Sequence, residues 1–186
     1  MGFDIYGLNP KLNTEEKDIL KEDFNYLSKA DKQLYIKEKE VFEKANPGTY
    51  FRNNVWWWRP LWEYVCLICT EVMREEDIIA GDNNSGHIIP EKITTEMSVL
   101  LGMSIKNNDH IKYEESYKER IESLPMDRCN LCHGTGKRND SFFKGECNKC
   151  RGEGVVSNFA TNYPFHAKNV ENFFSFISEC GGMQIF

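Results

Sequence analysis

Cys129-Asn-Leu-Cys132-His-Gly-Thr-Gly136 and Cys147-Asn-Lys-Cys150-Arg-Gly-Glu-Gly154 repeat one pattern, C-x-x-C-x-G-x-G. Two soft thiolates spaced in this way can grip one metal ion if the chain turns back sharply after the second cysteine. Gly134, Gly136, Gly152 and Gly154 supply the backbone freedom for that turn. Together the repeats offer Cys129, Cys132, Cys147 and Cys150, the closed four-sulfur set of a structural zinc, so one Zn2+ per chain is the expected cofactor. Fourteen residues lie between Cys132 and Cys147, close to the span of paired C-x-x-C zinc sites, and Ser141 to Gly145 reads as a hairpin tip.

The first repeat also spells C-x-x-C-H, the attachment signature of a c-type haem. Haem attachment needs an oxidising compartment, and the opening Met1-Gly-Phe-Asp-Ile-Tyr6 has neither the basic nor the apolar region of an export signal. It also leaves the second repeat unexplained, so zinc is favoured. Cys66-Leu-Ile-Cys69 has a redox spacing but lies in an apolar run with no strand before it, which reads as inert core cysteine. Asp82, Asn84 and Gly86 set a glycine one place early for an EF-hand and put Ile93 where its glutamate belongs, which excludes calcium. His87, His110 and His166 are scattered, without His-Glu-x-x-His or Asp-His context. No Gly-x-Ser-x-Gly, Walker loop or dinucleotide fingerprint occurs, and no catalytic residues are expected.

A second candidate site lies in Tyr50 to Trp62, which holds all four tryptophans. Arg52, Asn53, Asn54, Trp57 and Arg59 are its candidate ligand-binding residues. An indole stacks on a base, an arginine fork takes a phosphate, and asparagine amides read polar edges. The same residues also suit a core, since large aromatics are mostly buried. Three adjacent tryptophans cannot all face one interior, so at least one is expected to point elsewhere.

With 186 residues, 40% of them hydrophobic, the chain is long enough for one core and a small satellite module. No apolar run approaches the ~20 residues of a membrane span, and Tyr6 stands where a myristoylation signal carries Ser or Thr, so no membrane partner is expected. The formal charge of −6 argues against whole-protein affinity for nucleic acid. Residues 128–154 depart from that mean, with Arg128, Lys137, Arg138, Lys144, Lys149 and Arg151 against Asp140, Glu146 and Glu153. Seven cysteines, an odd number with four at metal spacing, point to the reducing cytoplasm.

These sites need elements to hold them. The predicted fold is α+β, mostly helical, with a small β-sheet and a zinc-knuckle module of ribbon type. Residues 1–125 form the main helical core, carrying a helical hairpin at about 11–47. Residues 126–156 form the knuckle, and 157–186 return to the core. Residues 2–7 read as a strand, 14–27 and 29–45 as two charged helices, and 60–76 as an apolar central helix entered at Pro60. A helix over 90–101 is expected to stop at Gly102, and another to run from an Asp109 cap to Leu124. A strand at Val155-Val156, a helix over 167–178 and a strand at 183–186 complete the chain, with the sheet uniting its two ends.

The two cysteine repeats resemble the cysteine-rich zinc region of DnaJ-type co-chaperones, which carries four such repeats and two zinc ions. This chain has half of that region and no His-Pro-Asp triplet, so the resemblance implies the metal and not the chaperone cycle. The opening Met1 to Pro10, the segment Tyr50 to Trp62 and the ending Gly181 to Phe186 are similar to a loosely defined group of uncharacterised phage and bacterial proteins. That likeness implies a viral origin, and it implies that residues 11–47 are an insertion. The function expected is a non-catalytic, zinc-stabilised binding protein that occupies a host protein or complex in the host cytoplasm. The alternative is a binder of a nucleotide or single-stranded nucleic acid, using the tryptophan-arginine segment and the basic knuckle.

Overall fold

The structure, a computed structural model, describes residues 2–186. In chain order its elements are β1 (Gly2–Gly7), α1 (Lys29–Ala45), β2 (Tyr50–Asn54), α2 (Val55–Cys69), α3 (Glu75–Ala80), β3 (His87–Ile89), α4 (Glu91–Lys106), α5 (Asp109–Glu122), β4 (Asp127–Arg128), β5 (Lys137–Asn139), β6 (Lys144–Glu146), β7 (Val155–Val156), α6 (Ala167–Ile177) and β8 (Met183–Ile185). The class is α+β, as expected. A four-stranded antiparallel sheet runs β2-β1-β8-β3, with the two ends of the chain as its central pair.

One face of the sheet is buried and the other open, which is why β1 alternates: Phe3 and Ile5 point inward while Tyr6 joins Tyr50 and Phe186 outside. Helices α2 and α6 cover the inner face, and α4 packs against both of them. Phe3 stacks on Trp58 at 5.1 Å, Trp58 on Trp62 at 5.2 Å, and Phe51 meets Phe173 edge-on at 5.3 Å. The burial of α2 is what its apolar composition predicts, and its tryptophans divide as the crowding argument requires. Trp58 and Trp62 are buried, and Trp56 and Trp57 are 39% and 45% exposed.

Several boundaries differ from the sequence expectation. Helix α2 begins at Val55 rather than Pro60, because the Asn54 Oδ1 accepts from the Trp57 N–H at 3.1 Å and caps it. Pro60 therefore sits inside the helix with no N–H to offer the Trp56 carbonyl. The helix also ends earlier, at Cys69, and α3 follows separately. Gly102 does not stop α4, which continues to Lys106. A Cβ there would lie 3.1 Å from the Phe174 ring, so glycine serves close helix packing. Asp109 is the first residue of α5 rather than its cap. Asn108, with a left-handed φ of 59°, occupies the cap and Asp109 bonds Lys112 instead. Strands β2 and β3 are not expected from the sequence, and β2 places a strand directly before the helix of Cys66 and Cys69, contrary to the expectation of none there.

The largest correction concerns 14–27, which is not a helix but two short 3₁₀ turns, Asp18–Lys21 and Phe24–Tyr26. A short charged segment needs packing to stay helical, and neither turn buries a residue. The hairpin is thus one helix, α1, with turns laid against it. Asn46 fastens the arrangement: its buried Oδ1 accepts from the Asn13 and Thr14 amides at 2.6 and 3.0 Å, and its Nδ2 donates to Thr14 Oγ1 and the Phe42 carbonyl, both at 2.8 Å. Helix α1 itself buries no residue.

Replacing Asn46→Ala removes those bonds and is expected to weaken the attachment of residues 13–45 by about 1–3 kcal/mol. Amide exchange should rise across 13–45 while exchange in β1 and β8 stays slow. Equal acceleration in the sheet would mean that this segment is part of the core.

Candidate metal centre and neighbouring surfaces

The two cysteine repeats fold into matching turns. In each, the first cysteine's carbonyl accepts from the glycine amide five residues on, Gly134 at 3.2 Å and Gly152 at 3.3 Å, and the two turns are cross-linked: Cys129 N–H donates to the Gly154 carbonyl at 2.9 Å and Cys147 N–H to the Gly136 carbonyl at 2.8 Å. Gly136 and Gly154 have φ of 71° and 79°, and a Cβ on either would strike a backbone oxygen, Gly152 O at 2.1 Å or Gly134 O at 2.5 Å. His133 and Arg151 hold equivalent left-handed positions at φ 52° and 50°. Outside the turns, β4 pairs with β7 and β5 with β6, so the module closes as a hairpin within a hairpin.

The four sulfurs are buried, and all lie within 4.8 Å of one another. Cys129 Sγ is 3.8 Å from Cys147 Sγ, and Cys132 Sγ is 3.6 Å from Cys150 Sγ. A tetrahedron of sulfurs ~2.3 Å from a central ion has edges of about 3.8 Å. The spacing fits a four-coordinate ion, and it is far longer than the ~2.05 Å of a disulfide. The thiols do not ionise alike. Burial resists charge at Cys132, but the Gly136 N–H and the neighbouring thiols outweigh it and hold the thiol below its ordinary value. At Cys150 burial prevails and pushes the thiol up, although the Gly154 N–H, 3.2 Å from its sulfur, favours the anion. Four adjacent thiolates need a cation among them. The cluster can hold a metal ion, with every position filled by protein and none open for chemistry.

The second candidate set is dispersed. Arg52 lies on the open face of β2, its Nε 3.6 Å from Asp4 Oδ1. Asn53 is buried on the opposite face and donates to Asn169 Oδ1 at 2.8 Å. Asn54 is committed to its cap. Trp57 meets the His166 ring edge-on at 5.5 Å, in a cavity with Asn169 and Asn172. Arg59 lies over the Tyr163 ring at 5.9 Å, in a different cavity. The residues around Arg59 that the sequence reading missed are Tyr117, Arg120, Phe159 and Tyr163. They come from two further segments, and no local pattern links them.

The structure also corrects the reading of His87 as lacking an aspartate. Asp77 is fully buried and accepts from His87 Nε2 at 2.7 Å, from Arg74 Nε and Nη2 at 2.8 and 2.7 Å, and from the Arg74 amide at 3.1 Å. An ionised carboxylate only accepts, so Nε2 carries the histidine proton. This latch ties α3 to β3, and that segment in turn receives the indoles: Trp62 Nε1 donates to the Ile78 carbonyl at 3.0 Å and Trp58 Nε1 to the Gly81 carbonyl at 2.6 Å. Cys66 and Cys69 are core residues, their thiols pushed up to about 12 mainly by burial. Among the described residues no helix is long and apolar enough to cross a membrane. Comparison with protein-family models, curated proteins and solved structures finds no match.

Elemental analysis of purified protein is expected to find one tightly held ion per chain. Cys147→Ser or a strong chelator should release it and loosen residues 126–156 while the helical signal of the body persists. Protons compete for the thiolates, so the ion should dissociate as pH falls. Stoichiometric protein free of metal under these conditions would remove the centre.

The Asp77 latch gives an acid signature. Burial opposes the carboxylate, but the bonds from Arg74 and His87 outweigh it and keep the folded pKa depressed. Its stabilisation is therefore present above the unfolded carboxyl value of ~3.9 and lost as pH falls below it. Asp77→Asn should lower stability near neutrality by about 2–3 kcal/mol and flatten the acid limb of the stability curve. A variant whose acid limb matches the parent's would show that Asp77 carries none of it.

Proposed function

We propose that this protein is a non-catalytic, zinc-stabilised binding protein whose knuckle hairpin presents an aromatic tip to a protein partner. One observation carries the reading: Phe142, at the turn between β5 and β6, is 94% exposed. Its backbone is nonetheless held. The Asp140 Oδ1 accepts from the Phe142 and Phe143 amides, each at 2.9 Å, and the Arg138 guanidinium bonds both Asp140 and Asn148 while lying 5.3 Å from the Phe143 ring. An ordered loop that keeps a large ring in water suits an interface, where aromatic side chains are enriched and a pre-set conformation lowers the entropic cost of docking. Zinc is the ion the sulfur geometry favours, since a tetrahedral four-thiolate set suits it and it brings no redox chemistry of its own. The likeness of the opening, the Tyr50 to Trp62 segment and the ending to phage and bacterial proteins supports a viral origin. The partner is then a protein or complex of the infected cell, met in its cytoplasm.

The test is affinity against a partner captured by the parent protein and then purified. Phe142→Ser with Phe143→Ser should retain metal content and melting temperature but weaken that affinity by about 2–4 kcal/mol. Undiminished binding by the double variant sinks the tip as the interface, and the absence of any specific protein partner sinks the reading itself.

A further inference from the structure

The loop from Ser157 to His166, which joins the metal module to α6, separates two adjoining cavities of about 580 and 660 Å3. Both are lined by Phe159, which is 60% exposed and meets Trp56 and Tyr163 in T-shaped contacts at 5.9 and 5.8 Å. The first cavity has Arg59, Arg120, Tyr117 and Tyr163 on its walls, and the second has Arg128 and Lys149 from the knuckle. In a chain of formal charge −6, these four cations face only Glu63 and Asp127. Asp127 is already occupied, accepting from Asn158 Nδ2 and the Phe159 amide at 3.1 Å each. Arg59 forms no ion pair among the described residues, and the Arg120 partner Glu63 stands 3.8 Å away with both side chains more than half exposed. Both guanidiniums lie over tyrosine rings, at 5.9 and 4.7 Å, a contact that leaves their N–H groups for an anion.

From this arrangement we infer that the paired cavities bind a short single-stranded nucleic acid. One base stacks on Phe159 at the saddle, and phosphates are held by Arg59 and Arg120 on one side and Lys149 on the other. Cations on either side of one exposed ring match the alternation of phosphate and base along a strand, whereas an acidic peptide would have no use for the ring. The amides at the saddle are already committed, Asn158 Oδ1 accepting from the Ala160 N–H and Asn162 Nδ2 donating to the Phe159 carbonyl. Base edges therefore meet few free partners, and binding is tolerant of sequence. The negative remainder of the protein repels a polyanion, which confines contact to a few nucleotides. This site is separate from the Phe142 tip and does not depend on it.

Fluorescence anisotropy with labelled DNA and RNA single strands of about 12 nucleotides, at low salt, reads the proposal directly. Saturable binding in the micromolar range is expected, weakening roughly fifteen-fold between 50 and 200 mM salt for about three phosphate contacts. Arg59→Glu and Phe159→Ala should each weaken it about tenfold or more with unchanged metal content and melting temperature. Lys37→Glu, an exposed charge reversal on α1, and the Phe142→Ser tip variant should leave it unaltered. No saturable binding of either strand at low salt overturns the inference. Equal affinity for a mononucleotide also overturns it in favour of a nucleotide pocket, and displacement by poly-glutamate with Phe159→Ala silent overturns it in favour of an acidic peptide.

Discussion

The antiparallel pairing of Ile5 with Ile185 is the contact on which the rest of the molecule rests. It joins two strands separated by nearly the whole chain, and the Asp4 and Phe186 amides and carbonyls close it at 2.8 Å in both directions. Every covering helix packs on the face this pair helps define, and β2 and β3 are flanks that pair only with it. Such a contact carries a large loop-closure cost, which local helices cannot offset alone. The aromatic stack of Phe3, Trp58 and Trp62 offsets it by burying three large rings directly over the sheet.

The metal module stands outside that economy. Its buried cluster consists of the four cysteines, with only Val156 packed against them, so little apolar area holds it and an ion held by the four sulfurs would supply most of its order. The body and the module meet by way of the loop before α6: Asp127 of the module accepts from Asn158 and Phe159 of that loop, and the loop is held to the body by the Tyr117 hydroxyl on the Tyr163 carbonyl at 2.7 Å and by Trp56 against Tyr163 at 4.9 Å. The exposed surfaces of greatest chemical interest, the hairpin tip and the paired cavities, lie on the module and at this seam.

What was legible in the sequence is what local spacing encodes. The cysteine repeats specify sulfur geometry within eight residues, and the helix over 29–45 is announced by its Ser28 cap, whose Oγ accepts from the Asp31 amide at 3.2 Å. The sheet between the two ends was legible from alternation at 2–7 and 183–186. The failures have a common cause. The start of helix α2 is masked because Pro60 suits a first turn, while the Asn54 cap is at once the last residue of strand β2. The Asp77 and His87 contact spans ten residues and two elements, and the surroundings of Arg59 are assembled from α2, α5 and the loop before α6. Side chains brought together by tertiary folding leave no period to read.

The pairing of Asp127 with Val156 places the two ends of the metal module opposite each other on adjacent strands. Chain enters and leaves at nearly one point, so the body between α5 and α6 would need only a tight turn to close without it. The knuckle is in this sense a detachable cassette. Its length, charge and tip can vary, or be exchanged for another compact hairpin, without altering the register of the sheet below. The strand-sized doorway separates a body ordered by its buried rings from a hairpin ordered by four cysteines and their turns.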